Sequence, residues 1–377
     1  VYVSLKDVTQ SGDLLGAVSR VPSGVAAGRL TQDTVRLDLV EGSPDATYLF
    51  WLLRTPQYRE YCRARAIGTT NLSLSRDDFL AFPVPPLTER RHALVRLLET
   101  LEAKIELNHR MNRTLESVAR AIFKSWFIDF DPVHRKLERG SPTFMIDAAG
   151  LFPSTMAPSA LGAIPEGWRV STVRDAAAEL EAGSRPVGGV SEITDGVPSI
   201  GAESIVGIGQ FDFAKTKRVP PDFWAGMRRG HVQSRDVLVY KDGGRPGMFE
   251  PHVTLFGDGF PFDVCCINEH VYRLRVSDDL SQAYIYLSLS SNLAMSEMRE
   301  RGTGVAIPSL NSTAFGSVPV LVPSRPVVQR FTQIVEPLLG AILGNAKESR
   351  TFSLTRDVLL PKLLSGGFAP RSSGELL

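Results

Sequence analysis

Between Leu87 and Phe130 the chain carries no glycine or proline, and its apolar positions recur at alternating steps of four and three residues. Leu94, Leu98, Leu101, Ile105, Asn108, Asn112, Leu115, Ala119, Ile122 and Trp126 fall on one face, with charged residues on the others. That is the 3.5-residue period of a coiled-coil seam. At about 1.5 Å per residue, some forty residues make a rod of roughly 60 Å. A stripe this narrow requires a second helix to lie against. Asparagines inside such a seam cost stability and fix register and partner.

The same steps return at Phe331, Val335, Leu338, Ile342, Asn345, Ser349, Phe352, Arg356, Leu359 and Leu363, each at one constant offset from its counterpart (331 − 94, 363 − 126). Arg356 replaces Ala119, and Pro337 is expected to kink this second helix. The two helices are expected to pack antiparallel along Leu101, Ile105, Asn108 and Leu115 on one, and Leu338, Ile342, Asn345 and Phe352 on the other. Asn108 and Asn345 should then lie close together near the middle.

The flanks repeat as well. Tyr48, Leu74 and Pro83 recur, at an offset one smaller, as Tyr284, Leu310 and Pro319 (284 − 48, 310 − 74, 319 − 83). Arg65-Ala-Ile-Gly68-Thr69 matches Arg301-Gly302-Thr303, and Gln32-Asp-Thr-Val35 stands opposite Asn268-Glu-His-Val271. An ordered series at nearly one offset is an internal duplication of a globular region followed by a long helix. Gly68-Thr69 and Gly302-Thr303, present in both copies, are expected to share a job, such as a turn or a contact with backbone phosphate or a partner protein.

Composition narrows the class. The 377 residues suffice for two or three domains, and a net charge of +1 argues against a histone-like binder while leaving room for a local basic face. Three cysteines without ligand spacing point to a reduced, cytoplasmic setting, and no apolar run reaches the length of a membrane span. Lys241-Asp-Gly-Gly-Arg245-Pro-Gly247 lacks the order of a P-loop. The six histidines show no metal-ligand spacing, and no Asn-Pro-Pro-Tyr/Phe tetrapeptide of an adenine methyltransferase is present. No catalytic residue and no metal site is expected.

One stretch stands out by charge. Lys215, Lys217, Arg218, Arg228, Arg229 and Arg235 face a single acid, Asp222, with Phe211, Phe213, Phe223 and Trp224 interleaved. The glycine loop with Lys241 and Arg245 follows. Such a stretch fits phosphate neutralisation and fits equally a solvated positive face. The duplication favours the first, because two similar heads at a fixed spacing match an object with a helical repeat. Lys215, Lys217, Arg218, Arg228, Arg229, Lys241 and Arg245 are therefore the candidate DNA contacts.

Leu115-Glu-Ser-Val-Ala-Arg-Ala-Ile-Phe-Lys-Ser-Trp126-Phe-Ile-Asp-Phe-Asp-Pro-Val133 resembles the central conserved region of specificity subunits of type I restriction–modification systems. Ile164-Pro-Glu-Gly-Trp168 is similar to the opening of their second target-recognition domain, and Leu359-Leu-Pro-Lys-Leu-Leu-Ser-Gly366 to their closing motif. The resemblance covers essentially the whole chain. It implies an α+β protein with two α/β target-recognition domains separated by two long antiparallel coiled-coil helices, reading a split site on double-stranded DNA. It further implies a non-catalytic subunit without a cofactor of its own, carrying methyltransferase (M) and restriction (R) subunits on which S-adenosylmethionine, ATP and magnesium bind.

The expected segments are 1–87 (first recognition domain), 88–130 (first long helix), 131–163 (connector), 164–323 (second recognition domain), 324–366 (second long helix) and 367–377 (tail). The second domain has the whole stretch from Ile164 to Ser199 before a segment resembling Val1 to Val8, and extra residues between there and Asn268. The first domain is thus expected to be N-terminally incomplete. A coiled-coil assembly scaffold that binds no DNA is the alternative function class.

Overall fold

The computed structural model describes residues 1–9, 12–21, 24–26, 28–41, 44–69, 71–137, 150–190, 193–212, 216–245, 247–304 and 308–366. The chain divides into two units, Val1–Leu107 with Ser349–Leu377, and Asn108–Glu348. The long helices Glu89–Phe127 and Arg325–Leu359 each contribute residues to both. Strands and helices mix in each unit, and the fold is α+β.

In the first unit, Tyr2–Ser4 is the middle strand of an antiparallel sheet, flanked by Val18–Ser19 and Thr34–Arg36. Helices Ala46–Leu52, Pro56–Ala64 and Arg76–Leu80 begin at Asp45, Thr55 and Ser75, whose side chains accept hydrogen bonds from first-turn amides. Those caps satisfy donors that a helix cannot satisfy internally. The core gathers Tyr48, Trp51, Leu52 and Tyr58 with Leu94 and Leu98, and is closed by Leu360 and Leu363 from the far end of the chain. Arg91 Nε donates to Leu363 O at 2.8 Å, and Arg356 meets Glu102 at 2.8 Å, so the two helix segments run antiparallel here. The arginine that interrupts the apolar repeat thus has its own acid.

In the second unit, Val237–Tyr240 lies inside a four-stranded antiparallel sheet ordered Val253–Leu255, Val237–Tyr240, Val271–Val276, Ala177–Ala182. A second sheet is built from Lys217–Val219, Val197–Ile200 and Cys266–Ile267. Helices Gln282–Leu289, Asn292–Arg301 and Ser312–Gly316 are capped by Ser281, Ser291 and Asn311. Phe123 and Phe127 of the first long helix pack on Tyr284 and on Phe331 of the second, the Phe127–Phe331 rings edge-on at 4.9 Å. Asn112 meets Ile342 and Asn345 while Phe123 and Phe127 meet Phe331, so rising numbers on one helix meet falling numbers on the other, again antiparallel.

The duplication holds atom for atom at several places. The caps Asp45, Thr55 and Ser75 return as Ser281, Ser291 and Asn311, and the long helices start at Glu89 and Arg325, all at the same offset (281 − 45, 325 − 89). Tyr48 Oη donates to Pro85 O at 2.9 Å, and Tyr284 Oη donates to Leu321 O at 2.7 Å. Each bond pins the extended lead into the following long helix.

Two expectations are corrected. The counterpart of Val1–Val8 begins at Val237, not near Ser199, since Tyr2–Ser4 and Val237–Tyr240 occupy the same place between equivalent neighbours. From there to the Gln32/Asn268 point both copies have equal length (32 − 1, 268 − 237), and residues 164–236 are the part without a counterpart in the first unit. A few alternating apolar residues do not distinguish one strand from another; their sheet neighbours do. The segment 131–163 is more than a connector: it holds helix Asp131–Leu137 and strand Met156–Ser159, and Val133 and Phe152 are buried in the second unit's core. Pro337 stands inside the helix Arg325–Leu359, on its exposed side.

Along the seam, Leu101, Ile105, Asn108 and Ile342 are buried, while Leu115, Leu338, Asn345 and Phe352 are half-buried. Leu339 and Leu343 are buried beside the expected stripe, and the loop at Gly257 and Gly259 packs on Leu343 within the second unit. The second helix therefore buries a wider face than a two-helix seam needs. Asn345 Nδ2 donates to Asn112 Oδ1 at 2.9 Å, Asn112 Nδ2 to Ile342 O at 3.2 Å, and Asn108 Nδ2 to Glu348 Oε2 at 2.7 Å and Asn345 O at 3.4 Å. These polar groups are paired across the helices. Asn345→Leu alone strands Asn112 and should cost about 1–3 kcal/mol, whereas Asn112→Leu with Asn345→Leu should recover most of that loss. Urea unfolding of the two singles and the double checks this; strictly additive losses would contradict the pairing.

Candidate nucleic-acid interface

The glycine loop after strand Val237–Tyr240 is a tight structure. Gly243 and Gly244 have φ of +144° and +123°, and a Cβ at Gly244 would stand 2.2 Å from Met248 O. Only glycine suits that backbone and that approach. The loop leads into the hairpin Gly244–Arg245/Met248–Phe249, which places Arg245 at an exposed tip, 3.6 Å from Glu250. Gly243 N donates to Pro308 O at 2.8 Å, Leu310 N to Lys241 O at 2.8 Å, and Thr303 and Ser309 exchange backbone bonds. Gly302 lies against Phe249 of the hairpin. The structure thus brings Lys241, Arg245, Gly302 and Thr303 into one assembly.

The remaining basic residues stand elsewhere in the second unit. Lys217 and Arg218 lie on strand Lys217–Val219, Lys217 exposed and 3.7 Å from Glu203, Arg218 donating to Gly196 O at 2.7 Å. Arg228 and Arg229 follow helix Pro221–Gly226, and both are exposed, neither in an ion pair among the described residues. Lys215 lies outside the described residues. Lys241 is half-buried and spends a donor on Glu269 O at 3.0 Å. Four cations, Lys217, Arg228, Arg229 and Arg245, therefore keep access to solvent, while Arg218 and Lys241 are partly used inside the fold.

The repeated turn needs re-registering. Gly68 and Gly304 share φ values of +107° and +109°, and the bridges Ile67–Ser73 and Thr303–Ser309 enclose them at the same offset (304 − 68). Gly304 is the equivalent glycine; Gly302 instead caps helix Asn292–Arg301. A Cβ on Gly68 would meet Asn71 O at 2.2 Å, so only glycine suits the turn there. Thr69 is exposed on it.

A charge network on the four-stranded sheet joins residues far apart in the chain. Arg273, 3% exposed, is held by Asp236 at 2.6 Å, Glu179 at 2.6 Å and Glu181 at 2.9 Å, and Arg275 reaches the other Asp236 oxygen at 2.6 Å. Burial pushes the Asp236 carboxyl up, against the Gln233 amide and the two guanidinium groups. Glu181 also accepts from Gly230 N at 2.8 Å, which ties the chain just after Arg229 to the sheet. Alternating Glu179/Glu181 and Arg273/Arg275 on two strands is the one available signal. His270 Nδ1 and Asp242 Oδ2, 2.8 Å apart, lie in the glycine loop's neighbourhood. Among the described residues there is no group of side chains that fits a metal ion, and no helix long and apolar enough to cross a membrane.

No family model matches the chain. The chain is 24% identical over 359 residues to the type I restriction enzyme HindI specificity subunit of Haemophilus influenzae, covering 85% of this chain and 76% of that protein. It is 24% identical over 326 residues to the MjaIX specificity subunit of Methanocaldococcus jannaschii, covering 85% and 68%. The crystal structure of a type I restriction–modification S subunit from M. genitalium shares the fold at a TM-score of 0.55 and 16% identity, covering 98% of this chain and 83% of that one. The chain is a homologue of type I restriction enzyme specificity subunits.

Asp236→Ala leaves Arg273 buried with its most deeply buried partner gone and should destabilise the second unit by about 3–5 kcal/mol. Arg245→Ala, at an exposed tip, should change stability by less than about 0.5 kcal/mol. Thermal unfolding of both variants checks the contrast, and a tolerated Asp236→Ala would show the network to be dispensable.

Proposed function

We propose that this chain is the DNA-reading subunit of a type I restriction–modification complex, holding each half of a split double-stranded site against one of its two units. The observation that carries the reading is the module repeated at one constant offset, in a chain homologous to specificity subunits along 85% of its length. Two copies of one module suit two half-sites, and each copy ends in a long helix, the element on which partner subunits would be carried. The chain itself does no chemistry in this reading. Methylation falls to M subunits binding S-adenosylmethionine, and cleavage to R subunits using ATP and magnesium.

Lys217, Arg228, Arg229 and Arg245 are the first candidates for phosphate contact on the second unit, with Lys215, Arg218 and Lys241 beside them in sequence. Half to two-thirds of protein–DNA hydrogen bonds go to the backbone, and these position the protein without reading bases. An arginine that reaches a guanine edge would add about 1–3 kcal/mol of discrimination. Salt titration of duplex binding by the complex with M subunits tests this assignment. An alanine at a phosphate-contacting position should weaken all sequences alike and lower the salt slope by about one. An alanine at a base-reading arginine should relax one position of the half-site. Unchanged affinity and slope across all seven variants would make this face mere solvated surface.

A further inference from the structure

The glycine hairpin of the second unit stands on a base that the first unit repeats. Asp242 bridges Ser309 as Lys6 pairs with Ser73, at one offset (242 − 6, 309 − 73). From that bridge each unit sends out a loop that is fixed from beneath. In the first, the buried Asp7 carboxylate accepts from Thr9 N at 2.7 Å and from Leu14 N, and Arg59 donates to Leu15 O. In the second, Gly243 N donates to Pro308 O, and the buried Phe249 ring stacks on Tyr240. Both loops still hold an apolar side chain in solvent: Val8 is 74% exposed and Met248 54%. Single exposed apolar residues are ordinary, but here the same loop of both copies has one, and Met248 stands beside an arginine.

Arg245 and Met248 are register partners across the hairpin, so their side chains leave the same face of a two-stranded ribbon, about 4.5–5.5 Å apart at Cβ. A ribbon of this kind fits the DNA major groove, about 12 Å wide. Two groups exposed there match these two side chains. Guanine O6 and N7 accept the paired donors of a guanidinium, and the thymine methyl is the apolar group on the base edges. The minor groove offers no methyl. Base pairs rise by about 3.4 Å, so the two side chains reach adjoining pairs. Charge separates Arg245 from the other cations. Its side chain is 82% exposed with Glu250 at 3.6 Å, and Asp242 precedes the hairpin, so acids oppose a phosphate there. An uncharged base edge escapes most of that repulsion. Arg228 and Arg229, outside any ion pair among the described residues, suit phosphate better.

We propose that the hairpin Gly244–Arg245/Met248–Phe249 is the base-reading element of the second unit and enters the major groove of its half-site. Arg245 takes a guanine through O6 and N7, and Met248 packs on the methyl of a thymine in the adjoining base pair. Gly244 and Gly247, both exposed, let the ribbon's backbone approach the groove closely. This assignment rests on the DNA-reading role proposed above and divides the labour within it: the hairpin reads, while Arg228 and Arg229 hold the backbone.

The test uses the complex reconstituted with M subunits and a pool of duplexes randomised in sequence, with the bound fraction sequenced. The wild-type chain should enrich a motif in which one half-site holds a guanine beside an A·T pair. Arg245→Ala should cut the preference for that guanine roughly tenfold, and Arg245→Lys should not restore it, because a point charge lacks the paired donors. Met248→Ala should cut the thymine preference about fourfold, the worth of one buried methyl group. Uracil in place of that thymine should weaken the wild type by the same factor and leave Met248→Ala unmoved. A wild-type motif preserved in all three variants would overturn the proposal while the DNA-reading role stands. So would an Arg245→Ala loss spread over all sequences and restored by lysine, the mark of a phosphate contact. Loss of M-subunit binding in either alanine variant would make the tip a protein contact and overturn it too. A wild-type complex that enriches no motif would contradict the DNA-reading role itself, and this assignment with it.

Discussion

A stripe of apolar positions one residue in three and a half is too narrow to bury itself. That constraint governs the chain. The helix Glu89–Phe127 must meet another helix along its length, and the partner that fits is Arg325–Leu359 with the short turn that follows it. Because they run antiparallel, the start of one meets the end of the other in the first unit, and the reverse in the second. The first unit is therefore completed by residues from the far end of the chain, Leu360 and Leu363, and has no closed core without them.

The polar groups within that seam serve register. Asn108, Asn112 and Asn345 bond to one another's helices, and Glu102 meets Arg356 where an apolar repeat would have placed an alanine-sized residue. Sliding either helix by one turn would break these pairs and leave several donors without acceptors, which costs more than the pairs contribute. A pair of apolar helices alone would tolerate such slips. The asparagines make the alignment specific.

Much of this is legible in the residues. The seam residues, the shared heptad and the constant offset come from periodicity, and long periodic signals survive because many positions vote together. Short elements mislead for the opposite reason. The alternation of Val1–Val8 finds a match near Ser199 although Val237 is its counterpart, and Gly302 resembles Gly68 in its neighbours although Gly304 has its φ. The constant offset points to both true counterparts, but a two- or three-residue match lacks the weight to decide. The network of Arg273 with Asp236, Glu179 and Glu181 joins positions far apart in the chain (273 − 236, 273 − 179), which no local pattern reveals. The candidate site is half legible: its basic composition is plain, while the partial use of Arg218 and Lys241 inside the fold depends on packing.

The central claim is that this repeated module reads two halves of one DNA site on behalf of partner enzymes. Sequencing the methylated bases of the host genome, with the gene present and with it deleted, tests that claim most directly. The account predicts a split, asymmetric motif with a fixed spacer that is methylated on both strands in the first genome and bare in the second. The same methylated positions in both genomes would contradict it.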